Sequence, residues 1–268
     1  MRAYSDMLTA DVNRKGVLDV DTVKGCELGM RANPDGGCYG ACYAASTARF
    51  RGLDFSRAVT RDTEGRAHAA SIERAVRSAP FGFFRVGTMG DPSHDWRHTT
   101  EVVRWLAPYA VPVVVTKHWR MATDWEFSEL VTVGAVLNTS VSALDTRAQL
   151  AHRRRQIGRY AALGGVSVAR VVSCEFNRDH PEGHRMDDVQ RGLFSGPWPI
   201  IDNPLRLART HRLVAGGVVK VRAVKDLSTV RSISVRAATH ISATVPNVRI
   251  GVGCCSLAQT IRSQKINN

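Results

Sequence analysis

Three of the chain's six cysteines, Cys26, Cys38 and Cys42, fall in the stretch VKGCELGMRANPDGGCYGACYAASTARFRG, which runs from Val23 to Gly52. Thiolates gathered on a glycine-rich loop suit a soft metal or an iron–sulfur cluster. Gly36, Gly37 and Gly40 let the backbone bend tightly and turn its amides toward cluster sulfides. A structural zinc site takes four ligands, and a fourth Cys or His is not obvious nearby. Three ligands leave one iron of a 4Fe–4S cluster open to a substrate or cofactor. A zinc knuckle and incidental buried thiols are the competing readings. The adjacent pair Cys254 and Cys255 reads as a redox or auxiliary-cluster site or as two inert thiols, because neighbouring cysteines bridge poorly with each other.

Such a loop needs a scaffold. Downstream of it, short β-branched runs alternate with helical stretches. YAASTARFRG reads as a helix stopped by Gly52, AASIERAVRSAP as a second stopped by Pro80, and HTTEVVRWLAPYA as a third. FGFFRVGTMGDPS gives a short buried strand that ends in a glycine-rich turn. VPVVVTKHW and LVTVGAVLNTS are continuous apolar runs, the mark of strands buried on both faces of a parallel sheet. DTRAQLAHRRRQIGRYAALGG reads as a long helix with an N-cap signal at Asp145 and a stop at Gly164. VSVARVVSCEF is the next strand, and WPIIDNP one more. This rhythm predicts βαβ units and a parallel sheet, either open or curled into a barrel.

From about residue 205 the pattern changes. HRLVAGGVVKVRAV reads as a hairpin turning at Gly216 and Gly217, VRSISVRAATHISATV as further β-prone sequence, and VGCCSLAQTIRSQKINN as a short final helix. The expected organisation is an α/β unit over residues 1–204 that carries the cysteine loop, followed by a basic extension over residues 205–268.

With 268 residues, 44% of them hydrophobic, the chain can bury a substantial core. Its N-terminus lacks the apolar stretch of a signal peptide and no run is long enough to span a membrane, so a cytoplasmic protein without membrane contact is expected. Six cysteines in that compartment do not predict a disulfide framework. Lys and Arg number 37 against 24 Asp and Glu, a net +13. Such a surplus favours polyanions by counterion release, which makes nucleic acid a natural partner; a basic host proteome or simple solubility is the plainer alternative. Candidate phosphate contacts are Arg153, Arg154 and Arg155 on the long helix and Arg206, Arg209, Arg212, Lys220, Arg222 and Lys225 at the start of the extension.

CYA at Cys42–Ala44, VGTMGDP at Val86–Pro92 and VVVTKH at Val113–His118 occur in an order and spacing that resembles the radical S-adenosylmethionine (SAM) superfamily. Within it, the chain looks most like phage-encoded proteins distantly related to spore photoproduct lyase, over roughly Val23 to Glu175. Members commonly place three residues between their first two cysteines and two between the last pair; here the gaps are eleven and three. A motif begun at Cys38 and Cys42 would meet Ala45 at its third position, which cannot ligate. The resemblance therefore favours Cys26, Cys38 and Cys42 as the ligand set, with the long first gap as a looped insertion.

The resemblance implies a fold and a chemistry. The fold is a partial (β/α)6 TIM-like barrel, here with a β-rich C-terminal extension. The cofactors are one 4Fe–4S cluster and SAM, which chelates the open iron and lies across the C-terminal strand ends. An electron from a donor such as flavodoxin or ferredoxin would cleave SAM to methionine and a 5′-deoxyadenosyl radical, which abstracts a hydrogen atom from substrate. The expected cofactor contacts are Tyr43 beside the cluster and adenine, Thr88, Gly90 and Asp91 near the methionine amine, and Thr116 and Lys117 near the carboxylate or a substrate phosphate. Asn138, Ser140 and Glu175 are expected at the ribose or substrate. Cys174, at a strand end, is the candidate hydrogen-atom donor. Each has a plainer counterpart: a turn at Asp91, a solvated lysine at 117, a core thiol at 174. The expected substrate is a nucleic acid base or nucleotide-linked group, with modification of phage DNA favoured. The alternatives are a non-catalytic zinc- or cluster-stabilised nucleic-acid-binding protein and a radical enzyme acting on a peptide or small metabolite.

Overall fold

The structure, a computed structural model, describes residues 1–13, 16–33 and 37–220. Cys254, Cys255, Arg222, Lys225 and the elements expected beyond residue 220 lie outside the described residues.

Strand β1 (Ala10–Val12) pairs antiparallel with β2 (Leu18–Val20). Strands β3 (Val23–Lys24) and β4 (Val59–Thr60) form a separate antiparallel ribbon. From β2 the main sheet continues parallel and in chain order through β5 (Phe83–Val86), β6 (Val111–Thr116), β7 (Val136–Val141), β8 (Val166–Val171) and β9 (Ile200–Asp202). Helices α1 (Glu27–Ala32) and α2 (Tyr43–Phe50) sit in the cysteine segment. The parallel crossovers carry α3 (Gly65–Arg77), α4 (Trp96–Leu106), α5 (Asp124–Thr132), α6 (Arg147–Ala162) and α7 (Pro181–Phe194); α8 (Arg212–Ala215) follows β9. The protein is thus α/β, with a mostly parallel seven-stranded sheet. No helix among the described residues is long and apolar enough to cross a membrane.

Strand alternation divides the sheet into two faces. On one, Leu18, Val20, Phe84, Val86, Val114 and Leu137 meet helix residues such as Val76, Val103, Leu106, Phe127 and Tyr160. On the other, Phe83, Val111, Val136 and Val168 cluster with loop residue Val17, and Val113 and Ile201 pack against them, without a helix. Further along this second face, Arg85, Val115, Asn138, Arg170 and Ile201 surround one small pocket. Two residues on, Gly87, Lys117, Ser140, Val172 and Asn203 line a large cleft.

Three sequence expectations are corrected here. The run Leu130–Ser140 is not one strand: its start completes α5, Gly134 turns the chain at φ +67°, and β7 begins at Val136. Asp145 does not cap α6. Thr146 does, in a reciprocal capping box with Gln149, and Asp145 is buried in an ion network. Arg212–Ala215 form α8, capped by His211 and ended at Gly216, where the turn of a hairpin was expected. Leu205, Leu207, Leu213, Val214, Val218 and Val219 pack on a cluster that contains Ala143, Cys174 and Phe176.

Candidate functional site

A cleft of about 1310 Å³ opens at the C-terminal ends of the parallel strands. It is lined by Asp21 after β2, Thr88 after β5, Lys117 after β6, Ser140 in β7, Val172 after β8 and Asn203 after β9. Open α/β sheets bind ligands at this end, where crossover loops converge.

Cys26, Cys38 and Cys42 all line the same cleft. Each is placed by backbone. The Cys26 N–H donates to the Phe55 carbonyl at 2.8 Å, and Cys26 opens α1, so the long first gap is partly helical. Cys42 opens α2. Gly37, at φ +84°, sits so close that a Cβ there would lie 2.5 Å from Cys42 Cβ. Burial pushes the Cys26 and Cys38 thiols up. Asp91 and the neighbouring cysteines push Cys26 the same way, whereas Lys117 opposes the rise at Cys38. Among the described residues, no three His, Cys, Asp or Glu side chains converge as one metal ion requires.

Tyr39, between Cys38 and Gly40, anchors this loop to the sheet. Its hydroxyl donates to Asp145 Oδ1 at 2.8 Å, and its ring lies 3.6 Å from Lys117 Nζ, which also hydrogen-bonds its oxygen. Asp145 pairs with Arg153, whose Nε donates to the Lys117 carbonyl at 2.9 Å. Arg153, read from sequence as a surface phosphate contact, is 1% exposed. His211, 172 residues beyond Tyr39, closes the arrangement. Its Nδ1 accepts from Leu213 N–H, which fixes the tautomer so that Nε2–H donates to the Tyr39 carbonyl at 3.0 Å.

Two carboxylates shape the strand-end loops. Asp21, just after β2, accepts the backbone N–H groups of Gly87, Thr88 and Met89 at 3.1, 2.6 and 3.2 Å. Burial raises its carboxyl, and the Thr88 and Met89 hydrogen bonds oppose this. Asp91 accepts from Ser93 N, Ser93 Oγ and Thr116 Oγ1 on one oxygen and from Lys117 N on the other, at 2.7–3.0 Å. Through these bonds Asp91 joins two strand-end turns.

The cleft therefore brings together the three cysteines with Tyr43, Thr88, Gly90, Asp91, Thr116, Lys117 and Ser140. It does not bring in the other three. Asn138 lies one pleat deeper, in the small pocket. Glu175 is exposed and lines neither space. Cys174 is 2% exposed, within the cluster around Phe176; its N–H donates to Gln190 Oε1 at 2.8 Å, so the structure gives it the core role and not a place at the cleft. Sequence reasoning missed Asp21, Tyr39 and His211. Only Asp21 carried a signal, as a carboxylate at the end of a short apolar run.

Fold and cleft define an α/β protein with a cleft at the carboxyl edge of a mostly parallel sheet. No protein-family model matches the chain, and no curated protein matches it.

Proposed function

We propose that the chain is a radical SAM enzyme on a partial (β/α)6 barrel, with a 4Fe–4S cluster at Cys26, Cys38 and Cys42 and SAM beside it. Its proposed substrate is a nucleic acid base or nucleotide-linked group, with phage DNA modification favoured. A flavodoxin- or ferredoxin-type donor supplies the electron. One observation carries the reading: three thiols of one glycine-rich loop reach the cleft lined by the ends of all six parallel strands.

Several features support the barrel. Six parallel strands follow chain order without reversal, unlike a doubly wound sheet. Residues from β5 through β9 also border one small pocket. In a flat sheet, with strands about 4.8 Å apart, β5 and β9 would be about 19 Å from each other. A pocket shared by these strands favours a curved sheet over a flat one.

The residues fit the cluster. The donors are thiols, the glycine at 37 keeps space against Cys42, and Lys117 supplies positive charge beside Cys38. When bound, the cluster and SAM supply one-electron cleavage of a sulfonium and hydrogen-atom abstraction. The chain's part is positional. Tyr39 and His211 fix the thiol loop, Asp21 holds the Gly87–Met89 turn, and Asp91 ties that turn to Lys117. Thr88 and Ser140 present hydroxyls to the cleft.

Anaerobic reconstitution tests the reading. A brown protein with about four irons per chain that releases 5′-deoxyadenosine from SAM on reduction is expected, with iron lost on Cys→Ala substitution at 26, 38 or 42. A colourless zinc protein that leaves SAM intact overturns it.

A further inference from the structure

Helix α2 carries an uncovered face toward the cleft mouth. Tyr43 and Phe50 stand seven residues apart, on one side of the helix, and are 73% and 93% exposed. Tyr43, Thr47 and Arg51, spaced four apart, line the mouth. Lys24 and Arg206 line it as well. Among the described residues, Lys24, Arg51 and Arg206 make no ion pair, whereas the cleft's deeper cations Arg85 and Lys117 do. Burial lowers the Lys24 ammonium, and nearby Arg61 and Arg51 push the same way against Asp21 and Asp11. Arg2 joins the far end of α2, where its N–H donates to the Gly52 carbonyl at 2.8 Å. Cations that face a cleft without an ion pair favour an anion even where aspartates also line it, and an exposed ring beside them favours a ligand with flat faces. A polynucleotide has both; an acidic peptide has only the charge.

We propose that this rim seats a single-stranded polynucleotide, with Tyr43 and Phe50 stacking on its bases and Lys24, Arg51 and Arg206 neutralising phosphates at the cleft mouth. The assignment rests on the reading of the substrate as nucleic acid. It adds strand state and contact residues: the bases must be unpaired to stack, so a base in duplex DNA has to leave its helix before it enters.

The test is anisotropy of a fluorescein-labelled single-stranded oligodeoxynucleotide with the anaerobically purified full chain, across 50 to 200 mM salt. The slope of log affinity against log salt is about −0.7 per phosphate contacted. Replacing Lys24 and Arg51 together by Ala is expected to flatten it by about 1.4, two such contacts. Tyr43→Ala is expected to cost about five- to hundred-fold at every salt concentration with the slope unchanged, and Tyr43→Phe to restore binding. Equal competition by poly-glutamate of matched charge, equal binding of a blunt duplex, or wild-type affinity in Tyr43→Ala overturns the rim. Failure of any oligonucleotide to bind, with 5′-deoxyadenosine still released, overturns the rim and spares the radical chemistry. Oligonucleotide binding as expected by a chain that holds no iron does the reverse.

Discussion

Arg153 and Asp145 pair with both side chains almost wholly removed from water. A buried pair of this kind is costly to break from one side, because the remaining charge stays behind without its partner. Arg153→Ala is expected to lower unfolding free energy by about 3–5 kcal/mol, read by urea denaturation. Burial alone would raise the Asp145 carboxyl, but Lys117, Arg153 and the Tyr39 hydroxyl outweigh it and hold it below its ordinary value. The sign follows. The ionised carboxylate contributes stability that is complete above the unfolded value near 4 and is lost as pH falls through the lower folded value. Urea midpoints between pH 5 and 2.5 are expected to fall in the wild type and to fall less steeply in Asp145→Asn. None of this was readable beforehand. Three consecutive arginines look solvated, and an Asp just before a helix looks like a cap. Thr146 next door could serve as the cap, which left Asp145 for the interior.

At the scale of elements, loops are fixed where backbone meets backbone or ring. Gly90 bridges to Gly25, and a Cβ on it would lie 2.4 Å from the Val23 carbonyl oxygen. Gly90→Ala is expected to cost about 1–3 kcal/mol as the turn is forced outward, measured by thermal melting. Gly40 has φ +73°, and a Cβ there would meet His211 Nε2 at 2.6 Å. Gly40→Ala and His211→Ala should each destabilise, and the double variant should cost less than their sum, because removing the imidazole leaves room for the methyl. Additive losses would show that the two do not touch. The strands β5, β6 and β8 were legible because runs such as VPVVVT have no polar alternation, which suits strands covered on both faces. Three-residue β2 was too short to register, and the charged surface of α7 hid its period. The cysteine loop was legible by residue type. Its anchoring by Tyr39 was not, because the partners lie 78 and 106 residues away.

Across the whole molecule, the described residues after β9 pack on the cluster around Cys174. A chain ended after residue 204 would lose Leu205, Leu213, Val218 and Val219 from the cluster around Cys174, together with the His211 bond to the thiol loop. Such a chain is expected to expose Cys174 to thiol reagents that label it slowly in the full protein, with the modification followed by mass spectrometry. Equal labelling rates would mean that the segment contributes nothing to that core. The sequence reading placed a boundary at 205 because β-prone and basic residues begin there. The helical turn at residues 212–215 gives a different local picture, since Gly216 and Gly217 end a short helix.

The hydrogen bond from His211 to Tyr39 also sets an order of events during synthesis. Ribosomes release the amino-terminal half first, and local folding begins there. Yet the loop with Cys38 and Cys42 gains its carbonyl partner only after 172 further residues beyond Tyr39 have been joined. A nascent chain halted before α8 therefore holds this loop without its His211 bond and depends on the Tyr39 contacts with Asp145 and Lys117. Translation products that end there lack the last of the ties on the cysteine loop.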